Sequence, residues 1–240
     1  MKRVGRKIAK IGQGMRELWP NEVRKESLLH RNHGCYRNPL VPLKVNIFIW
    51  RLLKEAVPTR FNLSKKGIQL QSLACARCEK GVETLDHSFF LCPAASVLWK
   101  KIWAWWGLKS SRIFSVSDFR NLVTRSKKLT RSRLVFLAVC AVALWHLWKW
   151  RNDILFAAGD AVNQKRSKDP FPVVQITSKL WIGNRKKKLE LDLSSWFSSP
   201  LRECNWMGHW MIDGWIRSVD IGWSIGSNRS NKHIIFINVL

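Results

Sequence analysis

Cys75, Cys78, His87 and Cys92 lie within the eighteen residues "CARCEKGVETLDHSFFLC" and follow the spacing Cys-x2-Cys-x8-His-x4-Cys. Two cysteines separated by two residues form a tight knuckle that aims both sulfurs at one point. A second pair from the following segment then closes a tetrahedron. Three thiolates and one imidazole suit a borderline-soft divalent ion, Zn²⁺ above all. Four protein ligands leave no open position, so the chemistry is structural rather than catalytic. Two plainer readings compete. Cys75 and Cys78 could be a redox pair, but no thioredoxin-like βαβ pattern surrounds them. His87 by itself would be an ordinary polar residue on an aromatic segment, but it does not stand by itself.

The flanking residues are the ones that must aim these donors. Gly81 is expected to let the knuckle turn, and Thr84 to cap a short helix carrying His87. Cys92 directly precedes Pro93, which suits the first turn of a helix, so its thiolate meets the positive end of a helix dipole. Structural zinc binds with about 10–16 kcal/mol, as much as the whole stability of an ordinary domain. The metal is therefore expected to decide whether the surrounding region folds.

Around the knuckle the apolar pattern is helical. In "LKVNIFIWRLLKEAVPTRFNLSKKGI", Val45, Phe48, Ile49, Leu52, Leu53 and Ala56 share one face, and Pro58 is expected to end the helix. Thr59 then caps a short helix that Gly67 closes. "PAASVLWKKIWAWWG" runs from Pro93 to Gly107, with Ala95, Leu98, Trp99, Ile102, Trp105 and Trp106 inward. An aromatic stripe at this spacing reads as packing before it reads as a base-stacking platform. A third helix is expected from Ser117 or Asp118, with Phe119, Leu122 and Val123 inward. A long fourth is expected from Ser132 to Ala158, ended by Gly159. A "DPFP" break at 169–172 precedes a weak fifth helix through Trp181. From about Leu191 the periodicity fades. Phe48, Trp50, Leu52, Phe89, Leu98 and Trp99 are the expected core of the knuckle region.

The chain carries 42 Lys+Arg against 16 Asp+Glu, a net charge of +26. Self-repulsion on that scale calls for a polyanionic partner, nucleic acid first and an anionic membrane surface second. Any single basic run reads equally well as a solvated face. Lys44, Arg51, Lys54, Arg60, Lys65, Lys66, Lys100 and Lys101 lie near the cluster and are the candidate phosphate contacts. Of the six cysteines, Cys35, Cys140 and Cys204 are scattered, which is not a secreted disulfide framework, and a reducing intracellular compartment is expected. The start "MKRVGRKIAK" is not followed by an apolar signal core, although its lack of acids leaves an organelle open. "LVFLAVCAVALW" at 134–145 spans only about 18 Å as a helix against the roughly 30 Å a bilayer needs, so it reads as a buried core helix. No membrane span is expected.

The stretch from "PLVPLKVNIFIWRLL" through "PTRFNL", the cysteine–histidine spacing, "DHSFFLCP" and "VLWKKIWAWWG" closely resembles the reverse-transcriptase zinc-binding domain of plant non-LTR (LINE-type) retroelements. "WHLWKWRNDILF" (145–156) and "LSSWFSSP" (193–200) resemble segments that follow it in such proteins. The resemblance implies that Cys75, Cys78, His87 and Cys92 hold zinc, and that the domain once followed a polymerase. A polymerase needs clustered carboxylates on two metal ions. The acids here are scattered, with no adjacent pair. "MIDGWIRSVDIGWSIG" (211–226) faintly resembles the start of an RNase H domain, through Asp213 and Gly214. With only Asp220 beyond, no catalytic set can be assembled. Cys204 and His209 are near each other but lack a third group.

These readings predict a mainly α fold: a small helical domain around a CCHC zinc knuckle, a long helix following, and an irregular C-terminal tail. The expected divisions are a basic arm (1–38), the zinc-binding domain (39–110), a helical extension (111–190) and the tail (191–240). The expected function is non-enzymatic. It is binding of DNA or RNA through phosphates, with no small-molecule substrate and nuclear residence. The alternatives are a zinc-stapled protein-interaction module and a retroelement relic. Oligomeric state is left open.

Overall fold

The computed structural model describes residues 37–108, 115–124, 131–185 and 192–200. The expected basic arm up to Tyr36, Cys35, Cys204, His209 and the segment holding Asp213, Gly214 and Asp220 lie outside these residues.

Helix α1, Leu43–Leu53, forms on the expected apolar stripe and buries Val45, Phe48, Ile49 and Leu52. It ends earlier than expected and not at Pro58. Glu55 adopts a left-handed φ of 56°. Its N–H reaches the Leu52 carbonyl at 2.9 Å, and the Ala56 N–H reaches the Arg51 carbonyl at 2.8 Å. This is a Schellman closure with glutamate where glycine is usual, and it leaves Ala56 exposed rather than on the stripe. Helix α2, Arg60–Lys65, starts at Thr59, whose hydroxyl accepts from Asn62 N–H at 3.3 Å. It closes at Gly67 with φ 77°, as expected.

Helix α3, Pro93–Trp105, buries its expected face and Trp103 as well. Gly107, at φ 61°, closes it. Helix α4, Val116–Thr124, begins about two residues before the expected start, because Ser115 Oγ accepts the Asp118 N–H at 3.0 Å. Helix α5, Arg131–Leu155, is the central helix of the described residues. Val135 through Leu144 are fully enclosed, which explains why this helix is apolar on every side. By length and composition it could cross a membrane, but 67% of its most apolar stretch is buried in protein.

Helix α6, Ala161–Arg166, was not legible in the pattern. Helix α7, Phe171–Arg185, starts inside the expected "DPFP" break, because Asp169 Oδ1 accepts the Phe171 N–H at 3.1 Å and proline is tolerated in a first turn. The expected irregular tail also opens differently. Helix α8, Leu193–Ser198, is capped by Asp192. It buries Trp196 completely, and Trp105 Nε1–H donates to the Trp196 carbonyl at 2.8 Å.

Helix α5 packs against α1, α6, α7 and the segment carrying His87. The described residues, from Arg37 onward, belong to one compact unit. Asn38 ties the start of this unit down. Its Nδ2–H donates to the Leu134 carbonyl at 2.9 Å, and Asn46 Oδ1 accepts the Asn38 N–H at 2.8 Å. Phe48 meets Phe89 and Trp145 edge-on at 5.9 and 5.5 Å, which joins α1, the knuckle and α5 in one aromatic core. Trp50, expected in that core, is only half-buried.

Candidate metal centre

The knuckle is held by backbone first. Cys75 N–H donates to the Gly81 carbonyl at 2.7 Å, and Glu79 N–H returns to the Cys75 carbonyl at 2.9 Å. The left-handed residue in this turn is Glu79, at φ 57°, not Gly81. Gly81 serves a different purpose from the one expected. A Cβ on it would lie 2.8 Å from Cε1 of His87, so the glycine makes room for the imidazole.

Thr84 caps as expected, accepting the His87 N–H at 3.1 Å. His87–Leu91 then forms a single π-helical turn. Cys92 N–H closes it on the His87 carbonyl at 2.7 Å. The wider turn lets His87 and Cys92 both face the knuckle while Phe89 and Phe90 stay buried. Cys92 ends as the N-cap of α3, with Pro93 next.

The four donor atoms lie within 4.8 Å of one another. Cys75 Sγ and Cys92 Sγ are 3.9 Å apart, and Cys78 Sγ is 3.2 Å from His87 Nε2. Ordinary Zn–S and Zn–N bond lengths in a tetrahedron give about 3.8 Å between sulfurs and about 3.5 Å from sulfur to nitrogen. The donors thus already enclose a space that fits such an ion. The hydrogen bond between the two buried sulfurs favours the Cys75 thiolate and the Cys92 thiol, and the nearby Arg77 charge pulls both toward the thiolate. Cys140 is different: complete burial in α5 pushes its thiol up, which makes it an inert core residue.

Three arginines that the sequence did not single out fasten the knuckle. Arg151 of α5 grips the buried Glu83 at 2.6 and 2.8 Å. Arg166 of α6 donates to the Ala76 carbonyl at 3.0 Å and pairs with Glu79. Arg77 donates to the carbonyls of Ser88 and of Leu147 on α5.

The candidate phosphate contacts divide into several kinds. Lys54, Lys65, Lys66 and Lys100 are exposed and make no ion pair among the described residues. Lys65 and Lys66 line a shallow cleft of about 150 Å³ with Glu55, Val57 and Leu63. Lys44 is exposed and lies 5.8 Å over the Trp181 ring. Arg51 is half-buried, and burial lowers its pKa. Lys101 is paired with Asp169 at 2.6 Å. Arg60 turns inward, donating to the Ala74 carbonyl at 2.6 Å beside Glu83. Trp99, Trp103, Trp105 and Trp106 are interior, so they form packing and not a surface for stacked bases.

Fold and site together give a helical domain with four clustered donors between α2 and α3 that could hold a metal ion. Residues 15–99 match the family model described as zinc-binding in reverse transcriptase. The family is one of zinc binding, not of catalysis. Neither a curated protein nor a solved structure matches the chain.

Proposed function

We propose that the chain is a retroelement-derived zinc module of LINE-type ancestry that binds nucleic acid without strong sequence preference. Cys75, Cys78, His87 and Cys92 would hold the ion, which supplies a closed structural cross-link and no reactive position. The observation carrying the binding reading is the distribution of charge around the knuckle. Of the acids around it, Glu83 is buried on Arg151, Glu79 and Glu55 are paired at the surface with Arg166 and Arg120, and Asp86 accepts the Val116 N–H. The excess positive charge is left on exposed lysines, Lys54, Lys65, Lys66 and Lys100 among them. A surface of that kind recognises phosphates, which position a protein on DNA or RNA but carry no sequence information. Nuclear residence follows as part of the same proposal.

The test is binding of the zinc-loaded full chain to short duplex DNA and single-stranded RNA across a salt series. The expected result is similar affinity for unrelated sequences, falling steeply as salt rises. Affinity that does not change between low and moderate salt contradicts the proposal.

A further inference from the structure

Arg77 lies between two of the metal donors in sequence, and it is 6% exposed. Its guanidinium donates to the Ser88 carbonyl and, at 3.2 Å, to the Leu147 carbonyl. It also lies 5.5 Å over the ring of Trp150. Among the described residues no carboxylate pairs with it. Nor does its Nε have a hydrogen-bond partner among them. The acids of the knuckle are already committed, Glu83 to Arg151, Glu79 to Arg166 and Asp86 to the Val116 N–H.

A buried cation without a counter-charge is costly, because carbonyl dipoles and a ring face replace only part of its hydration. The knuckle can supply the missing charge. Three thiolates and a neutral imidazole around a divalent ion leave one net negative charge. That charge would be formed beside Arg77 with two of its donors, Cys75 and Cys92, fully buried, where screening by salt is weak.

We propose that Arg77 is a positioning residue of the metal centre, supplying the buried counter-charge of the loaded Cys₃His site and fixing the loaded knuckle to α5. Metal loading and docking of the long helix are then coupled through one side chain. Loading fixes a full negative charge beside Arg77, and Arg77 holds Leu147 and Trp150 against the knuckle. The proposal rests on the zinc reading of the site.

The test is zinc affinity of the full chain, measured by competition with a chromogenic chelator. Wild type, Arg77→Met and Arg77→Lys are compared, each also with Cys78→His, which makes the loaded site neutral. Arg77→Met is expected to weaken zinc binding about 10–100-fold, the usual effect of losing an outer-shell partner. Arg77→Lys keeps the charge and is expected to recover most of that loss. In the Cys78→His background the cost of Arg77→Met should largely disappear.

An Arg77→Met chain that binds zinc like wild type overturns the proposal. So does a loss that lysine does not recover and that is equal in both backgrounds, since a clamp without a charge role behaves that way. If Arg77→Met does not fold even with zinc, Arg77→Lys decides: weakening of more than about tenfold relative to wild type overturns it. Wild-type chain that takes up no zinc removes the zinc reading itself, which distinguishes the two failures.

Discussion

Arg151 and Glu83 are joined by two parallel hydrogen bonds of 2.6 and 2.8 Å across sixty-eight residues of chain, with neither side chain appreciably exposed. Glu83 also accepts the N–H of Arg60 at 3.0 Å, so one carboxylate joins the knuckle, the start of α2 and the long helix. Removing one partner leaves the other charged, buried and unpaired. Arg151→Met is therefore expected to cost about 3–5 kcal/mol in the zinc-loaded chain. Arg151→Met with Glu83→Leu should cost clearly less than the sum of the two single changes. Urea unfolding midpoints of the three variants check this, and strict additivity would argue against a coupled pair.

Two glycines separate metal geometry from backbone strain. Gly81→Ala places a Cβ against the His87 ring, so it should weaken zinc affinity by about tenfold or more. Gly67→Ala meets no atom within 4 Å but forces a left-handed φ of 77° on alanine. It should cost about 1 kcal/mol of stability and leave zinc affinity unchanged. Chelator competition and thermal unfolding on both variants give the comparison, and equal zinc affinities would remove the role assigned to Gly81.

The lysines make a separate prediction. Replacing Lys54, Lys65 and Lys66 by alanine should lower the log–log salt slope of nucleic-acid binding by about 0.9 for each duplex phosphate that is no longer neutralised. Lys101→Ala should change it little, because that ammonium is held by Asp169. A slope unchanged in the triple variant would move the interface away from α2.

His146 predicts a pH dependence that does not involve the metal donors. Burial, and then Lys149 and Lys168, lower its pKa from 6.5 to about 4. The unfolded chain therefore binds the proton more readily than the folded one between those values. The stability contributed by the neutral ring is present above pH 6.5 and is lost as pH falls toward and through about 4. His146→Leu should flatten that part of the stability profile. An identical slope in wild type and variant would show that the ring does not titrate with folding.

The donor set was readable because its spacing is local, and the ends of α2 and α3 because Gly67 and Gly107 supply the left-handed residue each closure requires. The end of α1 was not, since glutamate at position 55 gives no such signal and Pro58 offered a more conspicuous one. The π-turn at His87–Leu91 depends on satisfying two metal-facing donors and two buried phenylalanines together, a condition that helical periodicity does not express. Nothing in the sequence singles out Arg77, Arg151 and Arg166. Their partners are the Leu147 carbonyl, Glu83 and the Ala76 carbonyl, each far away in sequence. Arg60 reads as a phosphate contact from its position near the cluster, while its inward bond to the Ala74 carbonyl depends on the folded chain.

The most direct test of the central claim is the metal content of the purified full chain, measured by elemental analysis before and after chelation, with Cys78→Ser treated identically. The account predicts one zinc per chain, removed by the chelator and absent from the variant, with loss of helical circular dichroism in both cases. A chain that carries no zinc, and whose variant keeps the same helical signal, would contradict it.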